Sequence, residues 1–202
     1  MNEEQKPHKT WTMLKKAVIL TPFTKSIIPN FTSNAPVKDK YGEWKLTWEY
    51  DKPETQGEIL YGEMYKDYSE NIYKLFDGIG AGDTSTANIQ LTTDQHYPGQ
   101  LTIILELPKN IYIKPETMRL SYSQQGSCRF YTVSGCKKNG EWDTLIKRTD
   151  MWDKYSILQT IPNADYYSKI KLYFERTYSN QSTHCIHANE FQILSGTLRI
   201  GG

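Results

Sequence analysis

The chain has 202 residues, enough for one well-buried core but too few for two full domains. Its 24 basic and 23 acidic residues give a formal net charge of +1, which argues against charge-driven binding to nucleic acid or to an anionic membrane. There is no secretory signal, no apolar run of membrane-spanning length, and an odd count of three cysteines. We therefore predict a protein made in a reducing cytoplasm, without nucleic-acid partners or membrane insertion.

The first 24 residues differ from the rest of the chain. Residues 1–10 are polar and aperiodic, as terminal segments often are. Residues 11–20 suit a short strand or one helical turn, whose apolar side chains need cover from this domain or from a neighbouring subunit. We predict that residues 1–24 form an arm and residues 25–202 form the domain. The side chains expected to dock the arm on a partner are Trp11, Leu14, Val18, Ile19 and Phe23.

A clear strand pattern begins at Trp44. Apolar side chains alternate with polar ones over residues 44–50, which predicts that Trp44, Leu46, Trp48 and Tyr50 share one face. Residues 54–73 have mixed polarity and several tyrosines, which predicts a long loop with a short helix near residues 71–75.

Short segments of strand length follow, separated by turn sequences such as Asn139-Gly140 and Ser195-Gly196. No amphipathic helix lies between them. This pattern predicts an all-β fold, an antiparallel β-sandwich of the jelly-roll kind. The predicted strands are residues 101–107, 111–113, 118–122, 128–134, 144–147, 155–161, 167–174, 190–194 and 198–200.

The order of these segments resembles the discoidin domain, also called the coagulation factor five/eight type C domain, of the galactose-binding-like superfamily. The matching segments are residues 28–34 (IPNFTSN), 74–78 (KLFDG), 100–108 (QLTIILELP), 134–145 (SGCKKNGEWDTL), 167–174 (YSKIKLYF) and 188–193 (ANEFQI). The resemblance implies a galactose-binding-like sandwich. Such domains are mostly non-catalytic; they bind glycans or lipid head groups, or act as docking modules in larger proteins and phage particles. This chain departs from the pattern by inserting residues 79–82 after Gly78 and by having Ala87-Asn88 where many members have a tryptophan.

The resemblance also implies a structural calcium ion, and no other cofactor is expected. Its ligands, carried over by position, would be Asp77, Asp83, Thr86 and Glu190, completed by loop carbonyl oxygens. The alternative is that Asp77 caps its own turn and Glu190 pairs with a neighbouring Arg or Lys.

Glycan binding would need exposed aromatic rings beside polar groups at one end of the sandwich. The candidates lie in the long predicted loops: Tyr61, Tyr65, Tyr68, His96 and Tyr97. Packing of these side chains against the sandwich or a partner subunit is an equally open interpretation.

Catalysis has little support in the sequence. His184 and His187 would point to opposite faces of a strand, and Cys185 has no orienting partner in the pattern. We predict a non-enzymatic structural component of a bacteriophage particle, associated with tail or capsid. It would be present in multiple copies, located in the virion and bound to other virion proteins, and would use the sandwich for docking and host-surface attachment. The alternative is a glycan-binding adhesin or carbohydrate-binding module acting on surface polysaccharide.

Overall fold

The computed structural model describes residues 18–51, 69–78, 89–92, 100–121, 130–148, 156–175, 185–188 and 190–201. These residues form twelve strands and one 3-10 helix, η1 (Ser69–Phe76). The strands are β1 (Ile19–Phe23), β2 (Val37–Asp39), β3 (Gly42–Asp51), β4 (Ile89–Thr92), β5 (Gln100–Glu106), β6 (Ile111–Ser121), β7 (Phe130–Cys136), β8 (Trp142–Arg148), β9 (Ser156–Thr160), β10 (Lys169–Glu175), β11 (Cys185–Ala188) and β12 (Glu190–Ile200).

Two antiparallel sheets form the body of the molecule. One has four strands in the order β1-β12-β6-β9, and the other has six in the order β2-β3-β5-β10-β7-β8. Strands β4 and β11 pair as a small separate ribbon. The prediction of an all-β antiparallel sandwich is confirmed. Its core takes alternate side chains from both sheets, as the period of two requires; among those that are almost fully buried are Trp44, Ile103, Ile113, Val133, Ile170, Phe174, Ile193 and Leu198.

The strand registers show which strand ends lie together at each of the two ends of the sandwich. At one end, the six-stranded sheet brings Asp51, Gln100, Phe130 and Glu175 level with one another. The connections 122–129 and 149–155 cross from one sheet to the other at this end, because they join β6 to β7 and β8 to β9. We call it the loop end.

The opposite end carries short connections that the structure describes in full, and we call it the turn end. The Asp39 carboxylate accepts hydrogen bonds from the N–H groups of Tyr41 and Gly42, at 2.8 and 3.2 Å, and closes the β2–β3 turn. The Gly140 N–H donates to the Lys137 carbonyl at 3.0 Å in the β7–β8 turn. These bonds satisfy the backbone locally, so this end is closed by its own turns.

One connection at the turn end also ties the two sheets together. The Tyr167 hydroxyl donates to Asp143 at 3.0 Å and accepts from the Asp165 N–H at 3.0 Å. Lys137 forms an ion pair with the same Asp143 carboxylate at 2.9 Å. The Tyr167 ring lies over Gly135, where a side chain would collide with it.

Two predicted breaks between strands were wrong. The predicted strands 111–113 and 118–122 are one strand, β6, which runs through Pro115. The predicted strands 190–194 and 198–200 are likewise one strand, β12, and the predicted turn at Ser195-Gly196 is a bulge within it. At this bulge a Cβ on Gly196 would strike the Lys114 carbonyl oxygen, so the close approach of the two strands requires glycine.

The C-terminal part of the predicted arm differs from the prediction. Residues 19–23 pair with β12 as the edge strand β1, so this part of the segment belongs to the sandwich. Phe23 packs against the core, whereas Val18 and Ile19 are exposed. Trp11 and Leu14 lie outside the described residues, and the docking role of the arm, residues 1–24, stays a prediction.

Candidate functional site: the loop end and its buried carboxylates

Five connections outside the described residues are joined to strand ends that lie at the loop end. The connections 122–129 and 149–155 begin and finish there, 52–68 and 176–184 leave from it after β3 and β10, and 93–99 leads into β5. The helix η1, which follows 52–68, packs beside β12, with Phe76 edge-on to Phe191 at 6.1 Å between ring centroids. The described strand ends therefore anchor these connections at one end of the sandwich, and loops positioned by such a rigid scaffold often carry binding residues.

All five aromatic residues predicted for glycan binding belong to two of these connections. Tyr61, Tyr65 and Tyr68 are in 52–68, and His96 and Tyr97 are in 93–99. They lie outside the described residues, so their side-chain arrangement stays a prediction.

Sequence reasoning overlooked other aromatic residues in connections that join the same end: Tyr122, Trp152, Tyr155 and Tyr178. They also lie outside the described residues. Only the strand order reveals that their connections share an end with the others, because the sequence does not state which strand ends are neighbours.

The segment before β2 holds η1 in place. The Tyr73 N–H donates to the Asn34 side-chain oxygen at 2.7 Å, and the Phe31 N–H donates to the Phe76 carbonyl at 2.9 Å. The rings of Phe31 and Phe76 pack at 6.0 Å between centroids. Residues 28–34, singled out by the resemblance, thus fix the position of the Asp77-Gly78 turn that follows η1.

Asp77 and Glu190 are brought together by this arrangement. Glu190 begins β12, is 3% exposed, and shares a side-chain hydrogen bond with Asp77 while it accepts the Gly78 N–H. Gly78 has a φ of 75°, and a Cβ there would lie 2.6 Å from the Asn30 side-chain oxygen. Glycine is therefore needed both for the backbone conformation and for the space.

The environment of Glu190 strongly favours its neutral form. Burial, and after it the negative charge of Asp77, raise the pKa of Glu190 to about 9. The Gly78 N–H and the positive charge of Arg119 act in the opposite direction. Arg119 itself donates to the Gln192 side chain. The predicted alternative of a Glu190 ion pair is not found among the described residues, although Arg119 is near enough to affect the carboxyl.

The carboxyl pair fits one requirement of a calcium site. The Glu190 Oε2 atom is buried and has no hydrogen-bond partner, so an acceptor oxygen is left over beside a second carboxyl. Calcium takes oxygen ligands, about six to eight of them. Asp83 and Thr86, the other implied ligands, lie outside the described residues. Within the described ranges, no group of three or more His, Cys, Asp or Glu side chains comes close enough to hold a metal ion.

Comparison with known proteins gives a likeness of fold. No family model matches the chain, and no curated protein matches it. The family 32 carbohydrate-binding module of EndoD from Streptococcus pneumoniae is similar, with a TM-score of 0.47 and 10% identity over 79% of this chain and 98% of that one. The family 32 module of NanJ from C. perfringens, solved with galactose, has a TM-score of 0.46 and 12% identity over 75% of this chain and 93% of that one. The fragment of a putative chitobiase from Bacteroides thetaiotaomicron has a TM-score of 0.45 and 14% identity over 83% and 94%.

These similar structures are two carbohydrate-binding modules and a chitobiase fragment. The assignment of this chain as a β-sandwich rests on its own strand pairing and not on that similarity. Among the described residues, no helix has the length and apolar character that crossing a bilayer requires.

Proposed function

We propose that this chain is a non-enzymatic binding protein that recognises glycans at the loop end of its sandwich. The observation that carries the proposal is the strand register, which leads five connections that contain aromatic residues to one end, while hydrogen-bonded turns close the other. Aromatic side chains offer flat apolar faces to sugar rings, and polar neighbours bind the hydroxyl groups.

The test is a glycan array probed with the whole chain and three variants. We expect binding to one group of related glycans, weakened by Tyr65→Ala or Tyr97→Ala. The control is Trp142→Ala, because Trp142 is 38% exposed on the edge strand β8 at the turn end. Absence of binding to any glycan would refute the proposal, as would equal loss in the Trp142 variant.

We also propose that the Asp77–Glu190 pair holds a structural calcium ion that orders the loop end. In its support, the buried Glu190 is hydrogen-bonded to Asp77 and its raised pKa favours a proton there; a divalent cation could replace that proton and use the unpartnered Glu190 Oε2. Calcium bound to the folded chain alone raises the unfolding temperature as its concentration rises. We expect such a rise in the parent chain and none in Glu190→Gln; an equal rise in both would refute the site.

A structural role in a bacteriophage particle remains a prediction of the sequence. Its support is the separation of the two ends: residues 1–17 precede β1, which enters the sheet at the turn end, whereas the aromatic connections lie at the loop end. Docking through residues 1–17 would therefore leave the loop end free to bind. Incorporation of a chain lacking residues 1–17 into particles as efficiently as the full chain would refute the docking role.

A further inference from the structure

Two buried polar side chains stand side by side where β6 ends and β12 begins. Ser121 is level with Glu190 in the strand register, and the two residues are 2% and 3% exposed. Directly opposite residues of an antiparallel pair point to the same face of the sheet, with Cβ atoms about 4.5–5.5 Å apart. The hydroxyl of Ser121 and the carboxyl of Glu190 are therefore near neighbours.

These two side chains point away from the sandwich core. The preceding pair in the register, Leu120 and Phe191, belongs to the core, and successive residues of a strand point to opposite faces. Burial on the outer face of a sheet needs a cover. The turn after η1 supplies part of it, because the Asp77 side chain and the Gly78 N–H are both hydrogen-bonded to the Glu190 carboxyl. The sheet and this turn thus enclose a small polar site.

Each of the two side chains has an oxygen atom without a bonding partner. Ser121 Oγ and Glu190 Oε2 are both buried, and neither forms a hydrogen bond with any described residue or with the other. A hydroxyl rotates freely to donate to an acceptor within its reach, so the two oxygens are not in hydrogen-bonding position. Leaving two buried oxygens unpaired costs free energy, so a third group that contacts both would be favoured.

The donor set specifies the chemistry of that third group. It consists of the carboxyl oxygens of Asp77 and Glu190 and the hydroxyl oxygen of Ser121, with no nitrogen or sulfur atom among them. Oxygen-only sets suit hard cations such as calcium. A water molecule could also contact the two unpaired oxygens, but it would not offset the negative charge that Asp77 places beside Glu190. A divalent cation satisfies both requirements.

We propose that Ser121 is a side-chain ligand of the calcium ion at the Asp77–Glu190 pair. The inference rests on the calcium site proposed above and adds a ligand from β6, outside the set that the family resemblance implies. The ion would then join three elements: the turn after η1, the end of β6 and the start of β12. Residue 122 follows Ser121 directly, so the ion also fixes the point from which the connection 122–129 leaves the sheet.

The first test is calorimetric titration of calcium chloride into the full chain after EDTA treatment and desalting. Ser121→Ala should bind calcium at least about tenfold more weakly than the parent chain, equivalent to about 1.4 kcal/mol. The control is Ser134→Ala, because Ser134 is similarly buried, at 5% exposed, but lies on β7 in the other sheet. It should bind calcium as the parent chain does, whereas Glu190→Gln should not bind it.

The second test separates a ligand from a residue that only supports the fold. In EDTA, the unfolding temperature of Ser121→Ala should equal or exceed that of the parent chain, because the hydroxyl removed has no partner. With calcium, it should rise less than that of the parent chain. A clearly lower unfolding temperature in EDTA would overturn the proposal, because the hydroxyl would then bond within the protein.

The outcomes distinguish this inference from the calcium site on which it rests. If the parent chain and Ser121→Ala bind calcium equally while Glu190→Gln does not, Ser121 is not a ligand but the site stands. A water molecule between Ser121 and Glu190 predicts that result. Equal loss of affinity in Ser134→Ala would also overturn the role of Ser121. If the parent chain binds no calcium, both proposals fail.

Discussion

Replacing Glu190 with glutamine should remove a pH dependence of stability that the buried carboxyl creates in calcium-free solution. The pKa of Glu190 is about 9 in the folded chain, against an ordinary value of 4.5. The folded-state pKa is the higher one, so its contribution is fully present below pH 4.5 and is lost as the pH rises towards 9. Each pH unit in this interval costs up to about 1.4 kcal/mol, because the unfolded chain releases the proton that the folded chain retains. Between pH 5 and pH 7 the loss is about 3 kcal/mol, a large share of the roughly 5–15 kcal/mol that stabilises a typical domain.

Urea unfolding followed by tryptophan fluorescence at pH 5, 6, 7 and 8, with EDTA present, measures this dependence. Histidines and other groups titrate in the same range, so the informative quantity is the difference between the parent chain and Glu190→Gln. We expect the free energy of unfolding of the variant to rise, relative to that of the parent chain, with each unit of increasing pH. Glu116→Gln, at an exposed position in β6, is the control and should follow the parent chain. Parallel curves for the parent chain and Glu190→Gln would show that this carboxyl is not held neutral, and the reasoning would fail.

Three further substitutions test the described contacts by urea unfolding. Gly78→Ala should destabilise the fold by clearly more than Gly140→Ala. Both residues have positive φ, but only Gly78 is crowded, by Asn30, while nothing lies within 4 Å of a Cβ at Gly140; equal losses would contradict the crowding. Tyr167→Phe should cost about 1–2 kcal/mol, because it removes the bond to Asp143 and leaves a backbone N–H without its acceptor. A loss below about 0.3 kcal/mol would show that water replaces the hydroxyl at little cost.

Local patterns explain which parts of the fold were predictable. The alternation from Trp44 and the Asn139-Gly140 turn are read from neighbouring residues, and the structure has β3 and the β7–β8 turn there. The short helix predicted near residues 71–75 is found as η1, slightly longer and of the 3-10 type. Trp48 lies in the predicted alternation of β3 but remains 38% exposed, because the sequence does not indicate where the facing sheet ends.

The remaining features depend on contacts between distant residues. Pro115 suggests a strand break in the sequence. In the structure, β6 continues through it, because the neighbouring strand β12 has a bulge at Ser195-Gly196 opposite the proline. Asp77 and Glu190 were placed together only through the family resemblance, since no periodicity links positions so far apart. The shared loop end likewise follows from the strand order, which composition and spacing do not determine.

The central claim is that glycans bind at the loop end, and chemical-shift mapping tests it most directly. The 15N-labelled chain would be titrated with the strongest glycan from the array while backbone amide shifts are followed. The account predicts shifts at amides that mark the loop end, such as Gln100, Ser156 and Glu190, with none at Gly42 or Gly140 of the turn end. Shifts concentrated at the turn end, or on the outer faces of the sheets, would contradict it.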